Sequence, residues 1–125
     1  MKLRIARHTS NLSKIVDFYT LFLGLEVLGE FQAYEEYNGV FIGKKGLDWN
    51  LEFTTSTELP NHTFDADDML VFYPKTTEEF SSIMQKVEVA KIKKLVPKNP
   101  YWSNNGFLIQ DFDCGNVVVY FKGLN

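Results

Sequence analysis

Glu52 is the side chain of this sequence that is best placed to do chemistry. It lies at the centre of residues 48–54, where apolar and polar residues alternate at period two. This alternation predicts a strand with two different faces. The apolar face carries Trp49, Leu51 and Phe53, and the polar face carries Asn50, Glu52 and Thr54. A carboxylate in the middle of a half-buried strand is expected near or inside the protein, where its partners decide whether it binds a ligand, binds a metal or catalyses a reaction.

Three further side chains are candidates for a cavity. His8 shares the predicted face of Arg4 on a strand at residues 3–9, and imidazole titrates near neutral pH. We favour the interpretation of His8 as an ordinary rim residue, with a role inside the cavity as the alternative. Tyr101 and Trp102 follow a proline in a loop, where they can either stack on a planar ligand or anchor the loop in the core.

The composition excludes several classes of function. A single cysteine, Cys114, allows neither an intrachain disulfide nor a multi-thiolate metal site. The net charge is −3, and the lysines between residues 91 and 98 indicate a solvated face, so we expect no nucleic-acid partner. No apolar run is long enough for a membrane span and no signal peptide is visible, which predicts a cytoplasmic protein without a membrane partner. The sequence also has no phosphate loop, dinucleotide fingerprint or serine triad order.

The first half of the chain predicts a strand, a helix and three strands. Leu12, Ile15 and Tyr19 recur at helical spacing, Ser10 or Asn11 can cap the helix, and Gly24 can end it. The strands are predicted at residues 3–9, 25–33, 37–42 and 48–54. The second and third strands join near residues 35–36, although Asn38-Gly39 can instead mark a bulge or set the turn.

The second half repeats this order. Residues 56–68 are polar and read as a linker, and Thr76 with Glu79 fits a capping box before a second helix. The strands of this half are predicted at residues 69–73, 92–96, 107–110 and 117–121. The chain is therefore predicted as one α+β domain of two tandem βαβββ modules, at residues 1–55 and 69–125, that form a curved mixed sheet around a cavity.

This order of elements, together with five short sequence motifs, resembles the vicinal oxygen chelate superfamily, which includes glyoxalase I, the bleomycin and fosfomycin resistance proteins and the extradiol dioxygenases. The motifs are Ser10-Asn11-Leu12, Phe18-Tyr19, Leu23-Gly24-Leu25, Leu51-Glu52-Phe53 and Asp111-Phe112-Asp113. The resemblance covers essentially the whole chain, and it is the order and spacing of these motifs together that make it specific. It is nearest to small bacterial glyoxalase-like proteins with an Asn-Pro-Tyr-Trp loop, here residues 99–102.

The resemblance implies where a divalent metal is held in the metal-dependent members. Carried over, the ligand positions are Arg4, Glu52, Met69 or Asp68, and Val118. Only Glu52 is a ligand of the kind that these enzymes use, because arginine has no lone pair to give, methionine is soft and valine is apolar. We therefore predict no metal and no other cofactor. Arg4 is expected to stand where the metal stands, paired with Glu52, either as a structural ion pair or with spare donors for an anionic or carbonyl ligand.

The leading hypothesis is a glyoxalase/bleomycin-resistance-like protein that binds a small organic molecule in an aromatic cavity without a metal. Its predicted ligand-binding residues are Arg4, His8, Asn50, Glu52, Tyr101 and Trp102. One alternative is a metal-dependent glyoxalase-type lyase or transferase with Glu52 as its catalytic residue. Another is a structural or stress-associated dimer without a ligand. The resemblance implies a homodimer in each case.

Overall fold

The computed structural model describes residues 1–122, and the chain divides into two compact units, Met1–His62 and Thr63–Asn125. The first unit contains β1 (Leu3–His8), α1 (Leu12–Asp17), β2 (Glu26–Tyr34), β3 (Tyr37–Gly43) and β4 (Trp49–Thr55). The second contains β5 (Leu70–Phe72), α2 (Thr77–Val89), β6 (Gly106–Gln110) and β7 (Asn116–Tyr120). The predicted α+β class with two tandem glyoxalase-like modules is confirmed, with the strands in two separate mixed sheets.

The sheet of the first unit has the order β1-β4-β3-β2, with β1 and β4 parallel and the other neighbours antiparallel. Leu51 and Phe53 of β4 are buried on one face, and the ring of Phe53 stacks on Tyr19 with 5.1 Å between the ring centroids. Asn50, Glu52 and Thr54 are half-buried on the opposite face. The two faces of this strand are those that the alternation predicts, because side chains of a strand point to opposite sides in turn.

The first helix is shorter and less regular than its apolar pattern predicts. Its N-terminus is capped by Asn11, whose Oδ1 accepts the backbone N–H of Lys14 at 3.0 Å. A π-helical segment, Phe18–Phe22, continues α1 and ends near Gly24, which has a positive φ of 70°. Phe18 and Tyr19 stay buried in this wider turn. The apolar face of the helix is therefore still packed in the core, although the α-helical hydrogen-bond pattern is not maintained.

The sheet of the second unit has only three strands, in the order β5-β7-β6. The strand predicted at residues 92–96 is wrong, because a single bridge between Leu95 and Leu108 stands in its place within the described residues. The backbone around it is broken by Lys91, which has a positive φ of 57°, and by Pro97, which has no N–H to donate. A short 3₁₀ helix, Pro100–Ser103, follows before β6.

The predicted linker at residues 56–68 has no helix or strand, but hydrogen bonds attach both of its halves to the units that they adjoin. In the first unit, His62 Nε2 donates to the backbone carbonyl of His8 at 2.6 Å. In the second unit, the Asn116 amide donates to the carbonyls of Asp65 and Asp68 at 3.3 and 3.0 Å. The segment therefore divides between the two compact units. No helix among residues 1–122 is long and apolar enough to cross a membrane.

Asp111 organises the turn between β6 and β7, and its replacement tests that turn. Its buried carboxylate accepts the backbone N–H groups of Asp113 and Gly115 at 3.0 and 2.9 Å. The same turn holds Cys114 at a positive φ of 66°. Because hydrogen bonds to a charged acceptor are among the stronger ones, Asp111→Ala is expected to lower the free energy of unfolding by about 2 kcal/mol.

Urea unfolding measures this change, and Asp67→Ala is the control because Asp67 is an exposed acid in the segment before β5. The control is expected to change stability by less than about 0.5 kcal/mol. Equal stabilities of the two variants would show that the Asp111 carboxylate does not hold the turn.

Candidate functional site

A pocket opens on the face of the first sheet that carries Glu52. Its volume is about 420 Å³, and its walls belong to β2, β3 and β4. The lining residues are Phe31, Tyr34, Tyr37, Glu52 and Thr54. The pocket thus combines aromatic side chains with one carboxylate and one hydroxyl, all from the first unit.

The hairpin between β2 and β3 brings two tyrosines to the pocket. Glu35 and Glu36 form its turn with φ of 49° and 70°, a conformation typical of two-residue hairpin turns. Tyr34 and Tyr37 pair directly across this turn. The turn therefore lies where the two strands were predicted to join. Asn38 does not set it, and its side chain instead accepts the N–H of Ala33 at 2.8 Å.

Gly39 makes room for the aromatic wall of the pocket. It pairs with Phe31 on β2 and with Thr54 on β4, so it lies between two lining residues. A Cβ atom at this position would overlap the ring of Phe31. The absence of a side chain at Gly39 therefore lets the Phe31 ring lie across β3 and fixes where this wall stands.

The direct ion pair expected between Arg4 and Glu52 does not form within residues 1–122. The register of β1 on β4 pairs Arg4 with Asn50 and leaves Ala6 opposite Glu52. Arg4 Nε donates to Asn50 Oδ1 at 2.9 Å, and its guanidinium lies 4.3 Å from the centroid of the Phe41 ring. Because this register offsets Arg4 by two residues from the position opposite Glu52, a hydrogen bond to Asn50 and the face of Phe41 replace the predicted salt bridge.

His8 fixes the orientation of Thr54 at the edge of the pocket. Its Nδ1 lies 2.9 Å from Thr54 Oγ1, and its Nε2 lies 2.9 Å from the carbonyl oxygen of Glu58. Because a carbonyl can only accept, Nε2 carries the proton, and in the neutral tautomer Nδ1 accepts from the Thr54 hydroxyl. The His8 ring also meets Tyr37 edge-on, with 5.9 Å between centroids. His8 is thus a rim residue that positions lining residues.

Tyr101 and Trp102 lie in the second unit and pack on its own sheet. Tyr101 stacks on Tyr120 with 5.2 Å between centroids, and Trp102 meets the same ring edge-on at 5.5 Å. Trp102 also packs against the buried cluster that contains Leu108 and Val118. Of the two roles that the sequence left open, the contacts within this unit are those of a loop anchor.

A hydrogen bond between the two stacked tyrosines shifts their pKa values in opposite directions. The hydrogen bond to Tyr120 raises the pKa of Tyr101, and burial raises it further. The hydrogen bond from Tyr101 is the largest cause that lowers the pKa of Tyr120, and a hydrogen bond from Asn105 is the second. Tyr120 is therefore the acceptor of the pair and the member that ionises first, because hydrogen bonds donated to a phenolate stabilise its charge.

The residues present do not fit the divalent metal of the superfamily. Among residues 1–122, no group of three or more histidine, cysteine, aspartate or glutamate side chains could hold an ion. Glu52 has Ala6 beside it on β1 rather than a second donor. In the second unit Val118 is fully buried in an apolar cluster, with Met69 packed against that cluster. A single carboxylate does not make a metal site.

Sequence reasoning missed most of the pocket lining. Phe31, Tyr34 and Tyr37 come from the neighbouring hairpin, and only the pairing of β3 with β4 and of β2 with β3 brings them near Glu52. A usable signal was present for Thr54, which lies two residues after Glu52 and so on the same face of the strand. Of the predicted ligand-binding residues, the pocket is lined by Glu52, and Asn50 with Arg4 lies on the same sheet face.

The fold is that of the vicinal oxygen chelate superfamily. Glyoxalase I from Leishmania major superposes with a TM-score of 0.75 at 17% identity, covering 99% of this chain and 88% of that one. The fosfomycin resistance protein FosX from Listeria monocytogenes, in a complex with Mn(II), superposes with a TM-score of 0.68 at 14% identity, covering 94% and 88%. At these identities the likeness shows the fold alone.

Proteins with higher sequence identity to this chain show which family within this fold it belongs to. The YycE-like N-terminal domain family matches residues 3–54, and the YycE-like C-terminal domain family matches residues 67–121. YycE from Bacillus subtilis (strain 168) is 37% identical over 121 residues, which cover 94% of this chain and 85% of YycE. A crystal structure of a B. subtilis YycE protein of unknown function superposes with a TM-score of 0.81 at 35% identity, covering 95% of this chain and 88% of that one. The chain belongs to the YycE-like family.

The tyrosine pair of the second unit gives a testable titration. Tyr101→Phe removes the donor to the Tyr120 hydroxyl and keeps the ring stack, so the pKa of Tyr120 is expected to rise towards the ordinary tyrosine value. Tyr120→Phe should conversely bring the pKa of Tyr101 down. NMR titration of the phenol carbons resolves the individual residues. Unchanged titration of Tyr120 in Tyr101→Phe would contradict the hydrogen bond, and Tyr34→Phe is the control because it removes an exposed tyrosine of the first unit.

Proposed function

We propose that this chain binds a small organic molecule in the pocket on the Glu52 face of the first sheet, and that binding requires no metal ion. The observation that carries the proposal is the pocket itself, with a volume of about 420 Å³ and a lining of three aromatic side chains, one carboxylate and one hydroxyl. Ligand pockets in proteins commonly enclose about 300–1,000 Å³ and combine apolar walls with a few polar groups that orient the ligand.

Each lining residue has a role in this proposal. Phe31, Tyr34 and Tyr37 supply apolar contact area. Glu52 and Thr54 supply the polar atoms that orient the ligand, and His8 fixes the Thr54 hydroxyl through a hydrogen bond of 2.9 Å. Arg4 and Asn50 hold each other beside the pocket. Tyr101 and Trp102, which pack on the second sheet, have no part in the proposal.

The donor chemistry supports binding without a metal. The superfamily's chemistry relies on a divalent ion that polarises a pair of substrate oxygens as a Lewis acid. Here the position opposite Glu52 on β1 is Ala6, and Arg4 is occupied by Asn50 and Phe41. Glu52 is therefore assigned the role of a binding group rather than that of a metal ligand or a catalytic base.

Ligand binding at this pocket is testable with a thermal-shift screen of small organic molecules. A ligand at about a hundred times its dissociation constant stabilises the folded state by roughly 2.7 kcal/mol. Gly39→Ala is expected to abolish this stabilisation, because the added Cβ displaces the Phe31 ring from its place at the pocket. Gly29→Ala is the matched control, since its Cβ meets Phe41 at an ordinary distance of 3.5 Å.

Ligands that stabilise Gly39→Ala as strongly as the wild-type protein would bind elsewhere and would contradict the proposed site. A screen without any stabilising molecule would favour the alternative of a structural dimer without a ligand.

Metal independence is tested by elemental analysis together with the same ligands. We expect less than stoichiometric nickel, zinc and manganese in the purified protein, and ligand affinities that do not change when a chelator is added. Stoichiometric metal that is lost in Glu52→Gln would instead favour the glyoxalase-type lyase or transferase. The homodimer and the cytoplasmic location that were inferred from the sequence stay predictions.

A further inference from the structure

Among the residues that line the pocket, Glu52 is the one that carries a charge. The ion pair found within residues 1–122 joins Lys94 and Glu88 in the second unit, and Glu52 has no such partner there. Its neighbour on β1 is the methyl group of Ala6, and its neighbour on β3 is Phe41. A half-buried carboxylate whose cross-strand neighbours are apolar attracts a cation more strongly than one in water, because the lower dielectric screens its charge less. The pocket lining itself contains no lysine or arginine.

The aromatic walls add a second preference for positive charge. The face of an aromatic ring carries a negative quadrupole and attracts ammonium and guanidinium groups. Phe31, Tyr34 and Tyr37 bring three such rings to the pocket. The same sheet face already holds one cation in this way, since the guanidinium of Arg4 lies 4.3 Å from the centroid of the Phe41 ring. Arg4 keeps its positive charge there, but the contact with Phe41 and the hydrogen bond to Asn50 hold it on groups that do not line the pocket, so Glu52 is the charged side chain within the lining itself.

The remaining polar groups point the same way. In the neutral tautomer of His8, the Thr54 hydroxyl donates its hydrogen to Nδ1 and keeps only acceptor lone pairs for the pocket. Glu35 and Glu36 form the exposed turn between the two lining tyrosines, Tyr34 and Tyr37, and add negative charge beside the pocket. An anionic ligand would therefore meet a carboxylate, an acceptor oxygen and an acidic rim, whereas a cationic ligand finds a partner in each.

We propose that this pocket selects an organic cation, an ammonium or guanidinium group on an apolar or aromatic body, with Glu52 as its counter-ion. The inference rests on the proposed function and names the ligand class for the same site. The ammonium or guanidinium lies between the Glu52 carboxylate and the rings of Tyr34 and Tyr37, with the Thr54 oxygen as a hydrogen-bond acceptor. The apolar body of the ligand packs on Phe31.

Three probes with the same aromatic body test the selectivity. They are phenethylammonium, phenethyl alcohol and hydrocinnamate, which carry a positive, a neutral and a negative group. NMR titration of the full chain gives the three affinities, and we expect phenethylammonium to bind about tenfold more tightly than the alcohol, with hydrocinnamate the weakest.

Two pairs of variants connect this selectivity to the residues. Glu52→Gln keeps the shape of the side chain and should lower the affinity for phenethylammonium about tenfold while leaving that for the alcohol unchanged. Glu30→Gln is the charge-matched control, because Glu30 is exposed and pairs with buried Val40 rather than with a lining residue. Tyr37→Leu should weaken cation binding several-fold and Tyr37→Phe should restore it, because only the ring face is required.

The proposal is overturned if the alcohol or hydrocinnamate binds as tightly as phenethylammonium, if Glu52→Gln leaves the order of affinities unchanged, or if none of the three probes binds. These outcomes are separate from the failure of the proposed function. Neutral or anionic molecules that stabilise the wild-type protein but not Gly39→Ala would leave the pocket as a binding site and remove only its preference for cations.

Discussion

The pairing of β4 with both of its neighbours is the constraint on which the site depends. β4 lies between β1, to which it is parallel, and β3, to which it is antiparallel. Its buried face carries Leu51 and Phe53, so a shift by one residue would expose both side chains and turn Glu52 into the core. The hydrophobic effect thus fixes the register, and the register fixes what Glu52 meets: a methyl group on one side and a ring on the other.

This register also explains why the sheet face around Glu52 forms no metal site within residues 1–122. The position opposite Glu52 carries alanine, and the arginine two residues earlier bonds to an asparagine and lies over Phe41. The donors that would neutralise and orient a divalent ion are replaced by apolar and cationic groups. What remains is one carboxylate beside several aromatic side chains, and such a combination is suited to recognising a ligand by its charge and shape.

The second unit, which has one strand fewer than the first within residues 1–122, uses its aromatic residues differently. Its loop turns inward at Pro100–Ser103, and Tyr101 and Trp102 cover Tyr120 on the sheet face next to Val118. Stacking and a phenol hydrogen bond hold this cover in place. The two sheets therefore differ: the first has a pocket on its face, and the second has its own loop packed on the surface around Tyr120.

The sequence by itself determined the elements whose signals are local. Alternation predicted the two faces of β4, Ser10 or Asn11 and then Thr76 marked the starts of the helices, and the repeated order of predicted elements indicated the two modules. Only the tertiary structure decided which side chains meet. Strand register paired Arg4 with Asn50 rather than with Glu52. Hairpin pairing brought Phe31, Tyr34 and Tyr37 to the pocket from positions up to 21 residues before Glu52. Such contacts depend on how strands far apart in the chain align, and a single sequence carries periodicity within each strand but no signal for the alignment between strands.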